Sequence, residues 1–410
     1  MEREQGLLGR TFRSLRMRNY RLYFFGQVVS VSGTWMQQIA QAWLVLHLHG
    51  DGLDLGIVAA LRFVPMLVLG PWGGLLADRM DKRLLLVYTQ AAAGVLAAAL
   101  AAVTLTGVVT LGLVYVLVLL LGLVQVVDNP TRQSFASEMV GPAEVSNAVS
   151  LNSAVFTSAR VFGPAFGGIL IALVGTGWCF AFNAVSYVAV IVALALMRPA
   201  ELYSTRRAAG ARGQVREGLS YAWRTPRLRW PLLLLLIVGT FAFNFNVLLP
   251  LMASQVFHAD ASAFGTMMAL MGVGALAGAL ASASRARPTW RLIGLSAAGL
   301  GLFLGGTAAA PTLLVAMVVL VAVGMAMTTF QATSNSFVQL AADPSLRGRV
   351  MALYVTVFVG TTPIGAPLVG LVAQIMGARA GLVVGAVAAL AAGALAVAVR
   401  SRIDGPDAAV

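Results

Sequence analysis

The chain is a succession of long apolar runs separated by connections too short to fold on their own. Runs of this length fix the solvent. A helix needs roughly 20 consecutive apolar residues to cross the hydrocarbon of a bilayer. Such segments read at 19–46, 54–77, 83–106, 110–128, 146–174, 178–198, 229–255, 262–284, 290–309, 312–331, 347–376 and 379–399. Composition agrees: 59% of the 410 residues are hydrophobic and 10% are charged, against about 25% charged in soluble domains. The expected fold class is all-α integral membrane, with twelve transmembrane helices.

The basic residues test that count. Lys and Arg collect on cytoplasmic loops. With both termini on one side, that side holds 25 of the 28 Lys and Arg. They are the N-terminal set from Arg3 to Arg21; Arg79, Lys82 and Arg83; Arg132; Arg198 through Arg229; Arg285, Arg287 and Arg291; Arg347 and Arg349; and Arg400 and Arg402. The opposite side holds Arg379 alone, and Arg62 and Arg160 fall inside spans. Losing or adding one span scrambles this separation. The net charge of +13 is therefore read as topology and not as a nucleic-acid surface, since the basic residues are spread over all the inner loops. The N-terminus, MEREQGLLGRTFRSLRMRNYR, is basic and lacks a cleavage site, so it reads as a cytoplasmic tail. Cys179, the single cysteine, excludes a disulfide within the chain and a Cys-based metal site. His47, His49 and His258 fall in outer loops and read as solvated.

The longest connection, 199–228, is rich in Arg, Gly and Ala and divides the spans six and six. The expected organisation is an N-terminal bundle with its tail over 1–198, a cytoplasmic linker over 199–228 and a C-terminal bundle over 229–410. Within the linker, REGLSYAWRT has the pattern of a short surface helix. The halves repeat. A shift of 202 residues aligns Ser134-Phe135 with Ser336-Phe337, Pro142 with Pro344, Gly163 with Gly365 and Gly168 with Gly370. A shift of 204 aligns GLLADRMDKR (Gly74 to Arg83), within GGLLADRMDKR, with GALASASRAR (Gly278 to Arg287), placing Ser282 where Asp78 stands. Near 206, Gly33-Thr34 meets Gly239-Thr240. Duplication of this kind gives parallel repeats related by an axis along the membrane normal, with two bundles flanking a cavity.

Two motifs stand out. Gly74, Asp78, Arg79, Asp81, Lys82 and Arg83 resemble the loop signature of the major facilitator superfamily, with Asp81 in place of its usual second glycine. Arg160, Gly163, Pro164, Gly167 and Gly168, within RVFGPAFGG, resemble the antiporter signature of span five. The stretches GQVVSVSGTWMQQIAQAW and DNPTRQSF resemble the drug and siderophore exporter branch, which includes enterobactin exporters and macrolide efflux proteins. The resemblance covers essentially the whole chain. It implies that Asp78 faces the N-terminus of span eleven, where free N–H groups and the helix dipole attract an anion. It also implies that Arg79 and Arg83 lie near Asp128, forming with Gly74 a cytoplasmic latch between the bundles. The span-five glycines would give a tight, hinge-like helix contact.

Other residues carry expectations of their own. Gln27, Ser30, Thr34, Gln37 and Gln41 share one face of span one. They line either a cavity or another helix, and the resemblance favours the cavity. Asn244 and Asn246 occupy the matching part of span seven, and Gln125, Thr328, Gln331 and Asn335 extend the wall. A charge at the bilayer centre costs at least about 2.5–3.5 kcal/mol on insertion scales. Arg62 and Arg160 are therefore expected to face a cavity or a partner. Asp128 is the leading candidate for proton coupling, although a structural role in the latch competes with it. The expected function is secondary active export of amphipathic small molecules by alternating access, with proton antiport. The chain carries no G-x-x-x-x-G-K-S/T phosphate loop. A lysophospholipid or glycolipid flippase is the alternative, with Arg62 and Arg160 suited to its phosphate. A membrane enzyme or scaffold is the remote one, since no paired carboxylates or metal-ligand sets lie at depth. The expected partners are a small amphipathic substrate, protons and the bilayer, with no cofactor, no metal and no nucleic acid, in a monomer of the bacterial cytoplasmic membrane. Because only the first copy of the loop keeps the acid, Asp78→Asn is expected to reduce transport far more than Ser282→Ala; equal losses in a transport assay would contradict an asymmetric latch.

Overall fold

The computed structural model describes residues 11–203, 214–285 and 287–404. The first ten residues of the N-tail, the middle of the linker and the last six residues of the C-tail read from the sequence lie outside the described residues. Helices account for nearly all that is described, with no strand among the described residues.

Six long helices precede the linker: α1 (Arg18–His47), α2 (Gly52–Arg79), α3 (Lys82–Leu105), α4 (Leu111–Val140), α5 (Val145–Val174) and α6 (Thr176–Ala195). Six follow it: α7 (Pro226–Val256, interrupted once), α8 (Ala261–Ala283), α9 (Trp290–Ala309), α10 (Leu313–Ala341), α11 (Arg347–Met376) and α12 (Ala378–Ala398). All but α1 are long and apolar enough to cross a membrane. At 30 residues α1 is long enough; its row of Gln, Ser and Thr lowers its apolarity. A separate short helix, Gln214–Arg224, occupies the part of the linker where REGLSYAWRT has a helical pattern.

The helix ends carry the repeat further. Thr110 caps α4 by accepting from the Leu113 N–H, and Thr312, 202 residues later, caps α10 by accepting from Val315. Gly175 and Gly377, also 202 apart, end α5 and α11 at φ of 87° and 90°, a backbone conformation that glycine adopts without steric cost. Asp81, where the loop signature has a glycine, caps α3 by accepting from the Leu84 N–H at 2.7 Å.

The helices form two compact units. One draws on residues up to 44 and 68–209, the other on 45–67 and 210–410, so the two halves of α2 pack in different units. In the first unit Tyr20, Tyr23, Leu86, Phe135, Met139 and Leu194 form one buried cluster. The segment before α1 is tied to the start of α5: Arg13 pairs with Glu144, and the Ser14 N–H donates to Asn147 Oδ1 at 3.0 Å.

Helix pairs meet backbone to backbone where glycine removes the side chain. In the second unit a methyl group on Gly324 of α10 would lie 1.9 Å from the Met271 carbonyl oxygen of α8. The N-terminal half of α2 meets α11 in the same way: a methyl on Gly370 would lie 2.1 Å from the Gly52 oxygen, and one on Gly56 would lie 2.5 Å from the Ala366 oxygen. In the first unit Gly73 of α2 presses on the Val126 carbonyl of α4, where a methyl would sit 2.0 Å away. Pro130 lies four residues beyond Val126 and has no N–H to give that carbonyl, so the glycine approaches a carbonyl its own helix leaves free.

Two expectations change. The apolar runs end at 128 and 331, whereas α4 continues to Val140 and α10 to Ala341. Hydropathy marks where hydrocarbon ends, not where hydrogen bonding does. Span seven, read as continuous, breaks at Phe243 and Asn244 and ends in a π-helical turn over Met252–Val256. Gly370→Val should lower stability by about 1–3 kcal/mol, the usual cost of overpacking, whereas Gly74→Ala, with nothing within 4 Å of the added methyl, should be tolerated. Thermal unfolding in detergent checks both, and equal effects would contradict the assignment of Gly370 to a backbone contact.

Candidate functional site

Where the apolar part of α4 ends, the helix carries Asp128, only 3% exposed. Its carboxylate accepts from Thr89 Oγ1 at 2.8 Å and Gln90 Nε2 at 2.7 Å, both on α3. One turn further along α4, Arg132 forms an ion pair with it. Arg132 also donates to Gln27 Oε1 on α1 at 2.9 Å. Three helices thus converge on one carboxylate and one guanidinium. The Tyr23 hydroxyl is buried within electrostatic reach of both charges. Tyr23 OH, Arg132 Nε and Gln90 Oε1 are buried without a hydrogen-bond partner among the described residues. A lone buried charge is expensive. Here the opposite charge and two neutral donors compensate it, and removing one member of such a pair typically costs about 3–5 kcal/mol.

The loop residues lie elsewhere. Asp78 and Arg79 are exposed. Arg83 donates to the Leu194 carbonyl at 2.7 Å and the Ala195 carbonyl at 3.3 Å, closing the C-terminus of α6, where carbonyls lack helical donors. Lys82 pairs with Glu138 near the end of α4. The expected approach of Arg79 and Arg83 to Asp128 is therefore corrected: the partner of Asp128 is Arg132. Gly74 has open space around its Cα.

The span-five glycines form a seam with α1. A methyl on Gly163 would lie 2.5 Å from Trp35 Cβ, and one on Gly167 would lie 3.0 Å from Met36 Cγ. Pro164 and Gly168 are buried in the same helix. The repeat mate of Gly163, Gly365 on α11, meets the Thr240 oxygen of α7, the repeat mate of α1, where a methyl would lie 1.9 Å away. Arg160 on α5 and Arg62 on α2 are half-buried.

The polar face of α1 serves helix packing in the first unit. Gln27, Ser30, Gln37 and Gln41 are 5% exposed or less. Gln27 is bonded to Arg132, and Gln37 Oε1 accepts from Asn183 Nδ2 of α6 at 2.5 Å. Thr34 Oγ1 returns to the Ser30 carbonyl of its own helix. The cavity-wall reading is replaced, for Gln27 and Gln37, by contacts between helices.

In the second unit the break in α7 is the notable feature. Asn244 is buried, and its Nδ2 donates to the Thr240 carbonyl at 2.7 Å. The side chain thereby takes an oxygen near which the helix is interrupted. Phe243 packs edge-on against Phe330 of α10 and Phe358 of α11, with ring centroids 6.3 and 6.4 Å apart. Asn246, Gln331 and Asn335 are half-buried, as is Gln125 in the first unit. The Gln331 backbone oxygen accepts from the Tyr354 hydroxyl at 3.2 Å, and Thr328 Oγ1 is buried without a hydrogen-bond partner among the described residues.

Sequence reasoning missed Thr89, Gln90, Tyr23, Asn183 and the break in α7. It treated Arg132 as a topology charge, although its spacing of four from Asp128 was the available signal.

Comparison with known proteins places this arrangement. A family model described as transmembrane secretion effector, of the major facilitator superfamily, matches residues 10–408. The chain is 26% identical to the staphyloferrin A transporter of Staphylococcus aureus over 62% of its own length and 64% of that protein. It is 27% identical to the multidrug efflux pump Tap of Mycolicibacterium fortuitum over 88% and 90% of the two lengths. The chain thus spans a little under two thirds of the first relative and most of the second. Among solved structures, the nucleoside transporter NupG superposes with a TM-score of 0.73 at 13% identity, covering 94% of this chain and 98% of the other. A bacterial homologue of the lysosomal transporter Spinster gives 0.73 at 13% identity, covering 97% and 98%. Such identities speak for the fold alone. With a family model matched along almost its whole length, the chain belongs to the transmembrane secretion effector family of major facilitator transporters.

Proposed function

We propose that this protein is a secondary active exporter of amphipathic small molecules of the drug or siderophore type, working by alternating access and proton antiport. The observation that carries the coupling half of this reading is the buried pair of Asp128 and Arg132. It is an ionisable carboxylate held in the apolar interior of a bundle by α1, α3 and α4. Protonation of Asp128 releases Arg132, whose charge then needs a new partner. That exchange of partners links a proton to the packing of three helices. Relatives whose names record staphyloferrin A transport and multidrug efflux support the substrate class. Beside the break in α7, half-buried Phe243 and exposed Phe358 present aromatic surface, which suits an amphipathic molecule better than a sugar.

In this reading Gly74, Asp78, Arg79, Arg83 and Asp128 act in a cytoplasmic latch that engages in one state of the cycle. The seam of Gly163, Pro164, Gly167 and Gly168 holds α5 to α1, and Arg62 and Arg160 meet anionic groups of substrate. Two six-helix bundles, 1–198 and 229–410, rock about the linker. The protein resides as a monomer in the bacterial cytoplasmic membrane with both termini inside, a placement supported by the one-sided distribution of Lys and Arg, and it has no catalytic chemistry.

Purified protein in proteoliposomes should move a fluorescent amphipathic drug or an iron-free siderophore several-fold faster when a pH gradient is imposed than when it is collapsed. Equal flux in both conditions for every compound of these classes would contradict proton-coupled export, and flux of a labelled lysophospholipid alone would favour flipping.

A further inference from the structure

The two copies of the repeated turn are neutralised differently. In the first, Arg79, Lys82 and Arg83 stand among Asp78, Asp81 and Glu138; Lys82 is ion-paired, and Arg83 is spent on α6 carbonyls. In the second, the turn between α8 and α9 carries Arg285, Arg287 and Arg291, and no acid occurs between Asp260 and Asp343. All three arginines are exposed. None has a side-chain hydrogen bond or ion pair among the described residues.

These charges are built into concave surface. Two adjoining cavities of about 260 Å³ and 290 Å³ share Arg287 and Pro288. The first is lined also by Arg285 and by Ser282, Thr333 and Ser336, which bring hydroxyls. The second is lined also by Arg227, Phe337 and Leu340. Arg227 is half-buried and anchored through Nε to the Ile403 carbonyl at 3.2 Å. Leu340 is 66% exposed, which gives the cavity an apolar lip at the end of a membrane helix.

Three guanidinium groups, with no carboxylate among the described residues lining the two cavities, repel one another and attract an anion. Their planar forks match phosphate oxygens bidentately, and hydroxyls add neutral donors. The apolar lip suits an acyl chain, and basic residues beside a membrane helix draw anionic headgroups. We infer that Arg227, Arg285 and Arg287 form a cytoplasmic-face site for the phosphate of an anionic phospholipid, with its acyl chain along Leu340. The site occupies the position where the first copy of the repeat has its acidic signature, so a lipid phosphate supplies in the second half the negative charge that Asp78 supplies in the first.

The test uses the full chain in detergent with added phosphatidylglycerol, phosphatidylcholine or inorganic phosphate, read by native mass spectrometry and thermal unfolding. Phosphatidylglycerol should be retained and stabilising, and phosphatidylcholine should not. Arg285→Gln with Arg287→Gln should weaken retention by about thirtyfold, as expected for losing two juxtamembrane charges, and Arg287→Lys should recover part of it. Arg291→Gln removes one charge from the same turn outside the cavities and should weaken retention by about fivefold or less. Equal losses for Arg291→Gln and the double variant, or no loss in the double variant, would overturn the site. Stabilisation by inorganic phosphate with the same arginine dependence, but none by phosphatidylglycerol, would overturn its assignment to lipid.

Discussion

Helices in a bilayer gain nothing by hiding apolar side chains from lipid, so what holds them together is close packing and polar contact. That constraint explains where this chain spends its glycines. Gly163 and Gly167 bring α5 onto α1, Gly365 brings α11 onto α7, Gly324 brings α10 onto α8, and Gly52 and Gly370 bring the N-terminal half of α2 onto α11. Each contact places one helix backbone where a methyl group would collide with the other.

Polar contacts obey the same constraint from the other side. Each buried polar side chain must find a partner within the protein. The first unit meets this with one network: Gln27, Arg132, Asp128, Thr89 and Gln90 join α1, α4 and α3, while Gln37 and Asn183 join α1 to α6. At the position 202 residues after Asp128 the second unit carries Phe330, and it breaks α7 at Asn244, beside an aromatic cluster. The duplicated halves have thus diverged in chemistry while keeping their caps and glycine seams. The ionisable apparatus lies in one half and the aromatic, amide-bearing surface in the other.

Much of the fold was legible in the sequence because hydrocarbon imposes a length and the inner surface imposes a charge. The apolar runs located the helices, and the 202-residue shift paired Gly163 with Gly365, although not with the helices, α1 and α7, that they meet. What was not legible depended on partners that spacing cannot name. The row from Gln27 to Gln41 was visible as one face of a helix, but periodicity does not say whether that face meets a cavity or Arg132 and Asn183. The loop signature pointed Arg79 and Arg83 at Asp128, yet the carbonyls at the end of α6 claim Arg83, and Arg132 sits a single helical turn from the acid. The break in α7 lies in FAFNFN, which neither Gly nor Pro marks; Asn244, whose amide donates to the Thr240 carbonyl, is its one signal.

The central claim is that Asp128, through its exchange of Arg132, couples proton movement to transport. Comparing pH-gradient-driven flux with substrate counterflow in proteoliposomes, for wild type and Asp128→Asn, tests it most directly. Counterflow needs the helices to rearrange but needs no net proton transfer. Asp128→Asn should lose most of its gradient-driven flux and keep counterflow; gradient-driven flux at the wild-type level, or equal loss of both activities, would contradict coupling through Asp128.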